Sequence, residues 1–382
     1  MLSRICINAA IIELSASCTF LSFYVSHLSS SAMKLLYLVG MIASVAAAAK
    51  IDPQVFENIK KHGSSDIIMS FKNTDHVRIR RQIAYDHRES DIPTRATALY
   101  KALKNHADQV QSKLLSPLRK STATEFLDTH QLWISNQLVI RNASEEIIRL
   151  LKHSYEIQDV GPDRMIPLLF PEFKEGQTRA CNLTTKEGIS WGLSKMGVEQ
   201  FWAKGVWGQG IVVGSMDTGV QYSHESVKAN YRGNKYGWHD PYYHTKTPTD
   251  DIGHGTHTMG IMVGRTGSTG VAPDAKWMAC KGCIRLGCSV YRLIDCAQWF
   301  ICPSNADGHC REAPFVAFHG WGYDGSATFF DEILAAYDAS GIHAVFPVGN
   351  LGPRCGSTVY PSKSSSRFLD ARICEFSMCF NI

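Results

Sequence analysis

The sequence predicts an α/β protein: a doubly wound parallel sheet with helices on both faces, preceded by a smaller α/β module. Three observations carry this expectation. The apolar runs "IVVGSM" (211–216), "AKWMAC" (275–280), "PFVAFHG" (314–320) and "IHAVFPVGN" (342–350) are near-continuous, as strands buried on both faces are. Stretches with helical patterning lie between them, and strands alternating with helices build parallel sheets. The chain also changes character near residue 187, after the Pro- and Gly-rich stretch "GPDRMIPLLFPEFKEGQTRAC" (161–181), which reads as a linker. A length of 382 residues accommodates two such units.

Composition excludes little. Apolar residues make up 45% and charged residues 19%, ordinary for a globular chain. The net charge of +4, from 39 basic and 35 acidic residues, is too small to argue for nucleic acid, and no dense Lys/Arg block occurs.

Taken in order, "MKLLYLVGMIASVAAAAK" (33–50) has a positive start at Lys34, an apolar core from Leu35 to Val45 and small residues at Ala46–Ala49. That order is a secretory signal peptide, too short for a comfortable membrane span. Residues 1–49 are therefore expected to be an N-terminal extension and signal, with translation starting at Met33, and the product to be secreted and extracellular, with no membrane partner.

Residues 50–180 form the small module. "IPTRATALYKALKNHADQVQSKLL" (92–115) is expected to be a helix, with Pro93 in its first turn and Leu99, Leu103, Ala107, Val110 and Leu114 on one face. Ser116-Pro117 should end it. "LWISNQLVI" (132–140) reads as one strand. The next helix is expected to take Asn142 as N-cap with Glu145 three residues on, and "YEIQDV" (155–160) returns as a strand. Beyond residue 187 an amphipathic helix should carry Met196, Val198, Phe201 and Trp202. "HTMGIMVG" (257–264), "VYRLIDCAQWF" (290–300) and "FFDEILAAYDASG" (329–341) are the helices between the buried strands.

Of 12 cysteines, six cluster: Cys280, Cys283, Cys288, Cys296, Cys302 and Cys310. After a signal peptide this points to local disulfides rather than zinc, with the connectivity left open. Asn142 and Asn182 head N-glycosylation sequons.

The chemistry gathers at strand ends, where ligands bind in such sheets. "DDIGHGTHTMGIMVG" (250–264) places His254 and His257 three residues apart in a glycine-rich setting. A metal site, a buried structural pair and a catalytic base at a helix mouth compete to explain it. A metal site needs a third ligand, and no helical His-Glu-x-x-His frame is present. Asp217 ends one apolar run and Asn350 another. A carboxylate that orients an imidazole base, and an amide that donates to an oxyanion, are the parts of acyl-transfer catalysis. Gly253 and Gly255 allow close approach to the base.

"VVGSMDTGV", "GHGTHTMG" and "FPVGNLGP" together resemble the Asp, His and oxyanion-Asn blocks of the subtilase family of serine proteases. The stretch from Trp191 to Gly233 is similar to its bacillopeptidase F-like branch. The resemblance covers roughly residues 187–361. It implies a subtilisin-like, incomplete catalytic domain at 181–363, and a ferredoxin-like propeptide or inhibitor domain at 50–180. It further implies Asp217 as triad aspartate, His254 as general base, Asn350 as oxyanion donor and a structural, core His257. Gly320, Trp321 and Gly322 would lie on the strand that pairs with substrate backbone, where Phe318, His319 and Gly320 replace the branch's Asn-Asn-Ser.

The family's nucleophile, a Ser in a Gly-Thr-Ser-Met-like block, has no counterpart. Ser377-Met378 follows Phe376 and lies too close to Asn350, while Ser357, Ser362, Ser364, Ser365 and Ser366 read as loop residues. Residues 364–382 form an atypical tail, suggesting a truncation before the nucleophile. The expectation is thus the precursor of a secreted serine endopeptidase, inactive as written. Its partners would be protein or peptide substrates and its own propeptide as intramolecular inhibitor. No cofactor is required. Calcium is common in the family, but no loop here offers countable carboxylate ligands. The alternatives are a non-catalytic, propeptide-like inhibitor of a related protease and, more weakly, a zinc module on the cysteine cluster.

Overall fold

The computed structural model describes residues 49–72, 75–118, 127–168, 188–233, 235–304, 308–325, 329–352, 355–364 and 369–371. The expected signal core, Asn182, Ser377 and nearly all of the atypical tail lie outside them.

The first unit is a five-stranded sheet. Strands β1 (Lys50–Ile51), β2 (Ser65–Phe71), β3 (Thr129–Leu132), β4 (Gln137–Ala143) and β5 (Ile157–Pro162) stand in the order β1-β5-β2-β4-β3. β2 runs antiparallel to β4 and β5, β3 antiparallel to β4, and β1 extends the edge parallel to β5. Helices α1 (Pro53–His62), α2 (Asp75–Asp86), α3 (Ile92–Leu118) and α4 (Glu145–Lys152) complete it. From β2 onward the path is strand–helix–helix–strand–strand–helix–strand, the ferredoxin-like arrangement with its first crossover split into two helices, α2 and α3; α1, α2 and β2 were not among the elements anticipated from sequence.

Local chemistry explains the boundaries. Asp52 accepts from the Gln54 amide at 2.9 Å, Pro53 opens α1, and Gly63 closes it at φ 82°. Asp91 accepts from Thr94 N at 2.9 Å to start α3. Leu99, Leu103 and Ala107 are fully buried along α3, as their spacing required. The helix runs to Leu118, past the expected stop at Ser116-Pro117 and still within its final turn.

Two expectations fail. The N-cap of α4 is Ser144, whose hydroxyl accepts from Ile147 N. Asn142 stays in β4 because that strand pairs with β2 as far as Ala143. The single strand at 132–140 is a hairpin: Trp133–Asn136 make the turn, with Asn136 at φ 49°. The turn opens on Trp133 and Ile134, which are buried in the cluster shared with the second unit, so its first half reads as strand although Ser135 and Asn136 are ordinary turn residues.

The segment expected to be a linker contributes β6 (Met165–Ile166). The second unit opens with two short helices, α5 (Trp191–Met196) and α6 (Glu199–Trp202), where one was expected; Gly197 breaks them at φ 70°. Leu193, Val198 and Trp202 are buried, whereas Met196 and Phe201 face outward. The sheet then assembles from β7 (Val212–Asp217), β8 (Trp238–His239), β9 (Lys276–Lys281), β11 (Val316–His319), β12 (His343–Pro347) and β13 (Leu369–Ala371). All its pairings are parallel, in the order β13-β12-β11-β7-β9-β8. α7 (His254–Val263) packs Met259 and Val263 against Val213 and Ala279 on one face. α8 (Val290–Ile301) and α9 (Asp331–Ser340) cover the other, against Met216, Met278, Ala317 and Phe346. This is the doubly wound arrangement the apolar runs predicted.

The two units share one core. Leu99, Leu103, Ala107 and Trp133 join the cluster that includes α8 and α9. A buried Leu of this kind contributes about 1.5–3 kcal/mol. β6 pairs antiparallel with β10 (Cys288–Ser289), directly before α8. The six clustered cysteines form three disulfides, Cys280–Cys296, Cys283–Cys288 and Cys302–Cys310.

Candidate active site

Asp217 is the last residue of β7 and is buried. His254 is the first residue of α7, after Gly253 at φ 95°. The structure brings the two together: His254 Nδ1 lies 2.7 Å from Asp217 Oδ1. Thr218 N also donates to Oδ1 at 2.7 Å, and Thr258 Oγ1 donates to Oδ2 at 3.1 Å. Burial by itself would depress the His254 pKa. The hydrogen bond and charge of Asp217, with the charge of Asp250, outweigh it and hold the imidazole above its ordinary value. A partly exposed imidazole, oriented through Nδ1 by a buried carboxylate, is equipped to take a proton and carry the resulting charge.

Glycines make the approach possible. A Cβ on Gly255 would lie 2.0 Å from Gly219 O, so only glycine lets α7 abut the turn after β7. A Cβ on Gly320 would lie 1.9 Å from Asp217 Oδ2. This gives a physical reason for glycine at that position, one step past β11.

Two charged residues escaped the sequence analysis. Asp250 accepts at Oδ1 from Thr218 Oγ1 (2.9 Å) and Gly253 N (2.9 Å), and at Oδ2 from Thr256 N (2.8 Å) and Thr256 Oγ1 (2.6 Å). It therefore satisfies amides at the mouth of α7 from outside the helix. The capping rule inspects the residue just before a helix, here Gly253; an aspartate four residues ahead of His254 was the only available signal. Lys281 is buried beside Asp217 in the sheet register, donating to Thr218 O at 2.8 Å and Asp251 Oδ1 at 2.7 Å. Its charge is met by a carboxylate, as burial demands.

The remaining expected residues sit as follows. Asn350 lies just beyond β12, exposed, on the same carboxyl edge of the sheet as Asp217. Gly320, Trp321 and Gly322 follow β11 directly, and Gly320 N donates to Met216 O at 2.9 Å. The Trp321 side chain is buried among Phe329, Phe330 and Phe346, so only its backbone is available to a ligand. His257 is exposed rather than in the core: the i+3 position points away from the sheet that Met259 and Val263 face. His319 is fully buried and stacks on Phe346 at 4.3 Å. Neither of its ring nitrogens has a hydrogen-bond partner among the described residues, and burial pushes its pKa down to about 3. It is a neutral core residue. Ser362 Oγ donates to Pro347 O, and Ser364 Oγ to Asp331.

Among the described residues no group of three or more His, Cys, Asp or Glu is placed to hold a metal ion. No described helix is long and apolar enough to cross a membrane.

The chain is similar to several known proteins. Bacillopeptidase F of Bacillus subtilis is 26% identical over 367 residues, covering 86% of this chain and 25% of its own length. Subtilisin-like protease 1 of Arthroderma otae is 27% identical over 204 residues, covering 46% of this chain and 39% of its own. The chain thus spans well under half the length of either relative. Fervidolysin from Fervidobacterium pennivorans, a keratinolytic enzyme related to subtilisin, aligns with a TM-score of 0.46 at 17% identity, over 78% of this chain and 41% of its own. Residues 208–369 match the profile of the subtilase family. This stretch, which holds Asp217, His254 and Asn350, is therefore similar to a subtilase-family domain.

Proposed function

We propose that this chain is the precursor of a secreted serine endopeptidase in which His254 is the general base, Asp217 orients it and Asn350 donates to the oxyanion. The observation that carries this reading is the 2.7 Å contact between His254 Nδ1 and Asp217 Oδ1 at the carboxyl edge of a parallel sheet. The substrates are proteins or peptides, which would pair with backbone at Gly320–Gly322. The three disulfides and the signal-like stretch at 33–50 support an oxidising, extracellular destination.

Residues 50–180 act as the intramolecular inhibitor. Helices α2 and α3 dock against α9 and strand β3 with its turn against α8, and β6 pairs with β10 at the start of α8. Because this unit also has its own core around Ile67, Met69, Ile140 and Ile148, a second reading follows: the unit restrains a related protease in trans.

Hydrolysis needs a serine nucleophile, and the 382 residues hold no Gly-Thr-Ser-Met-like block. The transcript read past codon 363 is expected to reveal one. A protein carrying that block should cleave peptides. His254→Ala should then cost several orders of magnitude in kcat, and Asn350→Ala about 10²–10³-fold. Undiminished cleavage by the His254 variant would remove the reading. The chain without the block should resist serine-directed acylating probes.

A further inference from the structure

The two oxygens of Asp217 are held differently. Oδ1 accepts from His254 Nδ1 and from Thr218 N, both at 2.7 Å. Oδ2 accepts from Thr258 Oγ1 at 3.1 Å. Thr258 follows His254 by four residues on α7, so the two side chains rise from the same helical face. The threonine hydroxyl has one proton and two acceptors at equal range, Asp217 Oδ2 and Gly255 O, each at 3.1 Å. The anionic oxygen is the stronger acceptor and takes it. On the opposite side, Gly320 leaves so little room that even a methyl group would meet Oδ2. Asp217 is 1% exposed, so water does not replace a lost donor.

We propose that Thr258 is a positioning residue for the Asp217–His254 pair: its hydroxyl holds the outer carboxylate oxygen and limits how strongly that carboxylate draws a proton onto His254. The inference rests on the base-and-orienter assignment of this pair. A buried carboxylate with three donors shares its charge among them; with two it leans harder on the imidazolium. Removing the hydroxyl does not free the carboxylate to swing away, because Thr218 N pins Oδ1 and the backbone at Gly320 blocks rotation toward β11. The electrostatic consequence therefore dominates. A base restrained in this way stays deprotonated closer to neutral pH, which suits it to accept a proton. The other titratable groups acting on His254 are Asp250, across the mouth of α7, and His257, one turn along it. Neither is altered by substituting Thr258.

The test is an NMR titration of the His254 imidazole in the full chain. Thr258→Val, which keeps the shape and loses the hydroxyl, should raise the His254 pKa by about half a unit or more. Thr258→Ser should restore the parent value, and Thr258→Ala, which loses the hydroxyl without valine's branched side chain, should raise it as Thr258→Val does. An unchanged or lowered pKa in both Thr258→Val and Thr258→Ala overturns the proposal while leaving the pair intact. A parent His254 that titrates at the ordinary imidazole value instead overturns the pair itself, and the proposal with it.

Discussion

Gly255 carries no functional group, yet the pair depends on it. The Cβ of an alanine there would sit 2.0 Å from Gly219 O and 3.1 Å from Asp217 Cβ. Both obstacles belong to a tight turn, so α7 would have to withdraw. Gly255→Ala should cost about 1–3 kcal/mol, as overpacked cores do, and should shift the His254 pKa back toward its ordinary value. Urea unfolding and NMR titration check the two effects; a variant with parent stability would show that the turn can yield. The histidines carry opposite pH signatures. His254 has a raised pKa, so its stabilising effect is complete below the ordinary value of about 6.5 and fades as pH rises through the folded value. His319 is depressed to about 3, so its neutral form stabilises above about 6.5 and that stability drains as pH falls. His319→Phe should therefore gain roughly 2 kcal/mol over the parent at about pH 5 and little at about pH 8. Equal gains at both pH values in chemical unfolding would refute the burial argument.

At the scale of elements, helix ends do much of the joining. The last carbonyls of α9 lie beyond the reach of helical amides; Gly341 N caps Asp338 O at 3.1 Å, and α3 of the first unit supplies a further donor group. Arg95 donates from Nε to Ala339 O at 3.1 Å and from a terminal nitrogen to Asp338 O at 2.8 Å. A cation at a helix C-terminus also meets the negative end of its dipole. Arg95→Ala should loosen this junction by about 1–2 kcal/mol. Hydrogen exchange in the final turn of α9 should then quicken, and unchanged protection would show that the carbonyls are satisfied another way. Asp163 acts reciprocally at α8, accepting from Tyr291 N at 3.0 Å and Ser289 Oγ at 2.7 Å. Neither contact was legible in sequence, because capping rules see only residues adjacent to the helix. The same blindness hid Asp250, whereas the N-cap of α4 was misplaced because strand pairing carries β4 past Asn142 to Ala143. By contrast β7, β9, β11 and β12 of the large sheet were legible, since burial on both faces leaves uninterrupted apolar runs, whereas the short edge strands β8 and β13 were not anticipated.

Across the whole molecule, the units meet at a buried carboxylate. Asp295 of α8 accepts from His130 of β3 and from His239 of β8, each at 2.8 Å. Burial would raise its pKa, but the hydrogen bonds and charges of the two histidines reverse this and hold it well below the usual carboxylate range. Its stabilising effect is present above the ordinary value of about 3.9 and is lost as pH falls through the folded one. Arg80 of α2 pairs with Glu332 of α9 at the same junction. Asp295→Asn removes the shared charge and leaves one histidine facing an amide donor. The docking should weaken by about 3 kcal/mol, so that urea unfolding, expected to be one transition in the parent, separates into two. A single transition in the variant would show that the shared apolar core suffices without the carboxylate.

By itself the sequence determined the parallel sheet, the helix faces and the identity of the polar residues at its carboxyl edge. These follow from local periodicity and from residue types that only particular chemistry needs. The tertiary structure decided that Asp217 reaches His254, that Thr258 and Asp250 support them, that His319 is an inert core residue and His257 an exposed one, and that the hairpin turn opening on Trp133 docks on α8. Each of these depends on chain segments distant in sequence meeting in space, and no local pattern encodes which segments those are.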